Sequence, residues 1–247
     1  MRFGKIDYLN LLPFEAFIRT YPKPSCFQLF YNKKKSYPVK LNHEFLFGRI
    51  DAGFVSSITA LRARNERFKP SRIGIVARKE VLSVICLPQQ RGEDYQSATS
   101  NALLKVLGLK GRVLIGDRAL VEVLKQKSEN KKDYIDLGKF WVNKEHLPFV
   151  FGRLCVKKNH RFYEKLVQAF YRKRVKIPYF LLDNAALKSG ISKYEILKYL
   201  EVLSYKIDKK ANFGVERFYR SLRILRIKAP QRFKNKDLCY KLPQFHQ

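Results

Sequence analysis

The chain has 247 residues, 46% of them hydrophobic and 14% aromatic, which excludes a disordered chain and suffices for a core in one domain or two small lobes. Fifty-one Lys and Arg against 21 Asp and Glu leave a net charge of +30; the charge suits nucleic-acid phosphates, steering of a small anionic substrate, or a solvated basic surface, and its spread over 33–35, 157–161, 172–176 and 217–236 does not favour nucleic acid as the partner. No run reaches the ~18 apolar residues that span a bilayer, and Lys5, Asp7 and Glu15 interrupt any apolar leader, so the expected setting is the cytoplasm, without a membrane partner.

In chain order, Phe3 to Tyr8 reads as a strand of alternating side chains, and Pro13 opens a helix, leaving Asn10 where the strand ends. In open α/β sheets, ligands bind at that end of a strand. Cys26 to Tyr31 is strand-like and Val39 to Phe47 helix-like; Ala52 to Val55 is strand-like and Ser57 to Arg64 helix-like. Val81 to Leu87 is a continuous apolar run, long enough for a buried strand. The alternation predicts an α/β fold with mainly parallel strands.

Beyond Leu87, Ser97 to Ser100 leads into a helix from Ala102 that Gly108 ends. Val113 to Ile115 is a strand, Gly116 the turn, and Asp117 the cap of a helix reaching about Lys127. Ser128 to Asp133 is a polar loop, Tyr134 to Leu137 a short strand, and Leu147 to Val156 another buried-strand candidate. The remainder predicts helices over Arg161 to Arg172, Ile177 to Ser189, Lys193 to Ser204 and Gly214 to Leu225, with Ser192 capping the third, and then a poorly ordered polar tail. Two apolar strands, Val81 to Leu87 and Phe149 to Val156, thus bracket a small α/β insert. We expect a larger lobe of residues 1–84 plus 150–247, a smaller α/β lobe of 85–149, and a ligand cleft between them.

The residue types define the chemistry available. Ser97, Thr99 and Ser100 precede a helix, where free N–H groups and hydroxyls suit a carboxylate; ordinary capping is the alternative. Ser56 and Ser57 repeat the arrangement after a strand, and Ser83 is a hydroxyl in an apolar run that needs a partner. His146, before Leu147 and Pro148, is the best-placed histidine, as a surface residue or as an acid/base. The four cysteines are far apart and no Cys or His spacing suits a metal, so neither a metal nor a nucleotide cofactor is expected; phosphate-cradling glycine motifs are absent too.

Seven ordered segments carry a resemblance: KIDYLNLLPF, GRIDAGFVSSI, VLSVICL, SATSNALLKVL, LIGDRAL, DLGKFW and LPFVFGR. Over Met1 to Val156, and more weakly beyond, they resemble the chorismate dehydratase family of the futalosine route to menaquinone. The chain departs from that pattern at Ala98, where the family has Arg, at Glu145 and His146, where it has Thr-Gly, and at Arg153 and Leu154, where apolar or aromatic residues are common.

The resemblance implies an α/β, two-lobed, periplasmic-binding-protein-like type II fold used as a cytoplasmic enzyme. Its reaction is the cofactor-independent loss of water from chorismate, a small dianion, to give 3-[(1-carboxyvinyl)oxy]benzoate. On this reading Thr99 and Ser100 bind one carboxylate, Ser56 and Ser57 the other, and Asn10 the departing hydroxyl or the enolpyruvyl group. Ser83 lies on the cleft floor. The substrate's own enolpyruvyl carboxylate takes the C3 proton, with His146 or a water as the alternative. The rival is a non-catalytic protein of the same fold that binds a small anionic ligand; a transporter's binding protein would carry a signal peptide, and none is recognisable here.

Overall fold

The computed structural model describes residues 1–31, 33, 35–64 and 67–230. The chain starts with β1 (Phe3–Ile6), which gives way to a 3-10 turn, Leu9–Leu11, and then α1 (Leu12–Thr20) with Pro13 in its first turn. Phe3 organises the packing of the next segments: its ring lies 6.0 Å from Phe14, 5.7 Å from Phe27 and 5.5 Å from Tyr31. Phe27 and Tyr31 stand four residues apart, so both reach Phe3 only if the segment is helical. It forms α2 (Ser25–Tyr31), begun by the Pro24 carbonyl accepting from the Phe27 and Gln28 N–H groups, and not the strand expected over Cys26 to Tyr31. Local β propensity of the aromatics loses to tertiary burial worth ~2–3 kcal/mol per ring.

A short β2 (Lys35–Ser36), α3 (Pro38–Leu46), β3 (Ala52–Ser56) and α4 (Ser57–Ala60) complete the opening. β4 (Lys69–Ala77), unforeseen because its first half is polar and only Ile73–Ala77 is buried throughout, then crosses the sheet. The chain leaves it through Arg78–Ser83 and enters a second sheet as β5 (Val84–Leu87). The strand is shorter than the apolar run Val81 to Leu87 predicts: Leu82 has a positive φ of 57°, and Asp136 accepts the N–H groups of Val81 and Leu82 at 3.0 and 2.7 Å, holding a turn.

The second sheet also contains β6 (Arg112–Ile115) and β7 (Ile135–Asp136), in the order β6-β5-β7, all antiparallel. Around it lie α5 (Ala98–Leu107), closed by Gly108 at φ 71°, α6 (Asp117–Ser128) and α7 (Leu137–Glu145). The chain then returns as β8 (Phe149–Val156), antiparallel between β3 and β4. Three helices come next, α8 (His160–Arg172), α9 (Tyr179–Ser189) and α10 (Lys193–Val202), the last capped by Ser192. Where the helix was expected to run to Ser204, the chain turns directly into β9 (Leu203–Lys206) on the edge beside β4, before α11 (Lys209–Ile224). The expected disordered tail falls largely on residues 231–247, outside those described.

The large sheet has the order β2-β1-β3-β8-β4-β9, and only the two pairs made by β1 are parallel. The expectation of mainly parallel strands is therefore corrected. The reason is β8, which returns from the second sheet running opposite to β3 and intervenes between β3 and β4, with Ala52 opposite Val156 and Ser56 opposite Gly152. One core continues through both sheets. Trp141 of α7 is fully buried, 5.1 Å from Phe149 and 6.1 Å from Phe218 of α11, and ties the second sheet to the first.

Candidate active site

A narrow cavity of about 50 Å³ lies where the ends of β1, β3 and β8 face the β5–β6 end of the second sheet. Asn10, Ser56, Ser83, Ser97 and Ser100 line it with Tyr8, Gly116, Phe151 and aliphatic side chains. Residues more than 80 positions apart in sequence thus share one wall. Among the described residues, none that lines it carries a charge. Wider depressions, of about 450 Å³ along β9 and about 820 Å³ between α6 and α10, lack this convergence of hydroxyls and an amide.

Asn10 sits in the 3-10 turn. Its carbonyl accepts from the Tyr205 hydroxyl at 2.7 Å, while its Oδ1 is buried without a hydrogen-bond partner. Buried acceptors are rarely left open, because the lost hydration costs ~1–3 kcal/mol. An open acceptor on a residue that lines a cavity therefore marks where a ligand group belongs. Ser56, at the end of β3, is held by the buried Asn42 of α3: Asn42 Nδ2 donates to Ser56 Oγ at 2.8 Å and Ser56 N to Asn42 Oδ1 at 3.0 Å. Ser83 receives the Tyr199 hydroxyl at 2.8 Å from α10. Burial raises the Tyr199 pKa, so that hydroxyl stays protonated and donates, and the Ser83 hydrogen is left to point elsewhere. At the start of α5, Ser97 Oγ accepts the Ser100 N–H at 3.0 Å and donates to Ser100 Oγ at 2.8 Å. The Ser100 hydrogen is again available, beside the positive end of the helix.

Three sequence candidates do not line the cavity. Thr99 is buried and its Oγ1 accepts the Ile58 N–H at 3.1 Å, so it joins α5 to α4. Ser57 is buried one residue past the cavity edge; its hydroxyl donates to the Val150 carbonyl and its carbonyl accepts from the Tyr219 hydroxyl at 2.8 Å. His146 is exposed and ends α7 with a positive φ of 55°. Thr99 and Ser57 are turned by partners 41 and 93 positions away, and His146 by its place at a helix end, so a polar residue beside a helix terminus does not reveal from sequence whether it meets a ligand.

The residues that sequence reasoning missed are the supports. Asn42, Tyr199, Tyr205 and Tyr219 lie on helices or on a strand not foreseen, and each bonds a residue of the site region. The available signal was chemical: Asn42 is a polar residue between Leu41 and Phe45, and a tyrosine on an apolar helix face needs a partner for its hydroxyl. Among the described residues no group of three or more His, Cys, Asp or Glu is placed to hold a metal, and no helix is long and apolar enough to cross a membrane.

Set against known proteins, the chain matches the family described as "Menaquinone biosynthesis" over residues 1–112 and 107–223. It is 39% identical over 229 residues to the chorismate dehydratase of Campylobacter jejuni subsp. jejuni serotype O:23/36 (strain 81-176), covering 92% of this chain and 100% of that protein. Among solved structures it is similar to a protein of Archaeoglobus fulgidus (TM-score 0.63, 12% identity, 92% of this chain and 97% of that one). It is also similar to the alkanesulfonate-binding protein of Xanthomonas axonopodis pv. citri bound to MOPS (TM-score 0.52, 12% identity, 94% of each chain). At these identities the structures speak for the fold alone, and that fold is periplasmic-binding-protein-like α/β, as the sequence resemblance implies.

Proposed function

This chain belongs to the menaquinone biosynthesis family, and from that premise we propose how its cavity removes water from chorismate. The protein is a hydro-lyase, and the reaction yields 3-[(1-carboxyvinyl)oxy]benzoate. The C3–H bond breaks, its electron pair forms the C3–C4 double bond, and the C4 hydroxyl leaves; the ring becomes aromatic. With so favourable a product, the work of the protein is to hold the substrate and move two protons.

The single observation that carries the assignment is the buried, unpartnered Oδ1 of Asn10 in an uncharged cavity lined by serine hydroxyls. Ser100, oriented by Ser97 at the positive end of α5, takes the ring carboxylate with its free hydroxyl hydrogen. This carboxylate is conjugated with C3 through the ring, so donors there also stabilise charge that develops as the proton departs. Ser56 takes the enolpyruvyl carboxylate, and Ser83 offers its free hydrogen from the floor. Asn10, with one acceptor and two donors on one plane, orients the departing hydroxyl or the enolpyruvyl group. Among the described residues the lining has no carboxylate, imidazole or amine side chain, and on this reading the enolpyruvyl carboxylate accepts the C3 proton and returns it to the leaving hydroxyl as water forms. Thr99 and Ser57 act behind this wall, and His146 is outside it.

Two lobes accord with the same reading: residues 1–84 plus 150–247 around the large sheet, and 85–149 around the small one. The strand memberships support this division. A free volume of about 50 Å³ holds only a few waters, whereas chorismate needs several times that, so the sheets part to admit it. The substrate is a small dianion met in the cytoplasm, and the basic surface draws it in.

The test is to incubate the purified protein and Asn10→Ala with chorismate and follow the loss of one water by mass. The wild type should form the aromatic product without added metal or nucleotide. Asn10→Ala should lose ~100- to 1000-fold in kcat, in proportion with kcat/KM. Binding of chorismate without turnover by the wild type would instead favour a binding protein, and near-normal turnover by Asn10→Ala would remove Asn10 from the mechanism.

A further inference from the structure

Asn10 cannot fix its own orientation, because its Oδ1 has no partner. What fixes it is the backbone on either side. The Asn10 carbonyl is held by Tyr205 of β9, and the N–H of the preceding residue, Leu9, donates to Asp117 Oδ1 at 3.0 Å. Asp117 lies in the other sheet's β6–α6 turn. As the first residue of α6 it was expected to cap that helix, but Gly116 takes the cap position and the carboxylate crosses to the 3-10 turn instead.

The neighbouring contacts make this a shaped junction. Gly116 has φ 65°, and a Cβ there would meet the Tyr8 ring at 2.8–2.9 Å, so the ring lies directly on the glycine. The Tyr8 hydroxyl donates to Gln96 Oε1 at 2.5 Å, and Arg118, one residue after Asp117, donates to the same oxygen at 3.0 Å. Gly116 N–H donates to the Ser83 carbonyl at 2.8 Å. One turn therefore touches the Tyr8–Asn10 segment and the Ser83 segment of the cavity together.

We propose that Asp117 is a positioning residue for Asn10: the β6–α6 turn clasps the Tyr8–Asn10 turn through the Leu9 N–H and the Tyr8 ring, and this contact between the two sheets aims the Asn10 amide into the cavity. The inference rests on Asn10 acting on the substrate. It makes closure of the cavity and completion of the site one event, since the carboxylate and the N–H belong to different sheets.

The clasp is titratable. Asp117 faces an outer cleft with Asp7, with Lys5 and Lys35 from the strands, with Glu15 and Arg19 of α1, and with Lys188 of α9. Lys188 pairs with Asp7 at 2.5 Å, and Lys5 and Arg19 both pair with Glu15. Burial pushes the Asp117 carboxyl up to about 6, against the Leu9 hydrogen bond and Lys188, which lower it, and with Asp7, which raises it. An ionised carboxylate accepts an N–H bond about twice as strongly as a neutral acceptor. Burial outweighs that gain, since the clasped carboxyl keeps its proton up to about 6, so the clasp loosens as pH rises through that value.

The experiment compares the wild type, Asp117→Asn, Asp117→Ala, Asn10→Ala and the double variant Asn10→Ala/Asp117→Ala on the full chain, with chorismate, from pH 5 to 8. Wild-type kcat/KM should fall several-fold as pH rises through about 6. Asp117→Asn keeps an acceptor but cannot ionise, so it should turn over at a pH-flat rate close to that of the wild type at pH 5. Asp117→Ala should lose roughly 10- to 100-fold in kcat with little change in KM, as expected for a misplaced reacting group. On the Asn10→Ala background, Asp117→Ala should cost little more. A multiplicative loss in the double variant, or a pH step retained in Asp117→Asn, overturns the clasp while leaving Asn10 in place. Normal turnover by Asn10→Ala overturns the Asn10 reading itself. Should Asp117→Ala not fold, Asp117→Asn and its pH profile decide the matter.

Discussion

Asp117 couples stability and activity to the titration of one side chain. Its carboxyl is pushed from 3.8 to about 6 by burial, so between those values the folded protein holds a proton that the unfolded chain has released. Where the folded state binds more protons, stability falls as pH rises. The loss begins near pH 4, is complete above about 6, and amounts to roughly 3 kcal/mol at neutral pH, at 1.36 kcal/mol for each pH unit. Asp117→Asn should therefore unfold at the same urea concentration as the wild type at pH 4 and at a higher one at pH 8. Equal midpoints at both ends would mean that the carboxyl does not titrate in this range. Asn10 obeys the same logic: an acceptor left open costs stability in the free protein and is of use only when a ligand fills it.

At the scale of elements, the C-terminal helices are the scaffold of a site whose polar cavity-lining residues come from the first half of the chain. Tyr199 of α10, Tyr205 of β9 and Tyr219 of α11 each place a hydroxyl on Ser83, Asn10 or Ser57. Burial raises the pKa of all three, so none ionises near neutral pH and each remains a donor. Tyr199→Phe removes the hydrogen bond that directs the Ser83 hydroxyl while keeping the ring. It should cost ~1 kcal/mol of stability and lower kcat several-fold. Adding Ser83→Ala should then have little further effect on kcat. Independent, multiplicative losses would show that Tyr199 does not act through Ser83. The strand β9 matters here because it turns the chain straight after α10 and so brings Tyr205 beneath Asn10.

Across the whole molecule, a net charge of +30 surrounds a cavity that no charged side chain lines among the described residues. The surface charge can then speed arrival of a dianion but cannot hold it in the transition state. Exposed charges are screened beyond ~8 Å at physiological ionic strength. Raising salt from low to moderate concentration should lower kcat/KM several-fold and leave kcat within about twofold. A parallel fall in kcat would require a charge inside the site; no change in either would leave the basic surface without a part in capture.

Periodicity and turn chemistry alone determined the helices α3, α5, α6 and α8 to α10, the buried strands β3 and β8, and the caps at Gly108 and Ser192, because each depends on residues close in sequence. Asn10, Ser56 and Ser100 were legible as polar residues at strand ends and helix starts and Ser83 as a hydroxyl inside an apolar run, and all four line one cavity. What only the tertiary structure decided is anything that depends on distant partners. Cys26 to Tyr31 became helical because Phe27 and Tyr31 share Phe3. The strands became mostly antiparallel because β8 returns between β3 and β4. Thr99 and Ser57 turned to Ile58 N–H and Val150 carbonyl, and Asp117 left its own helix for Leu9. A hydroxyl or carboxylate at a helix start has the same local signature whether it caps, bridges or binds; only the atoms that folding brings within about 3 Å select among them.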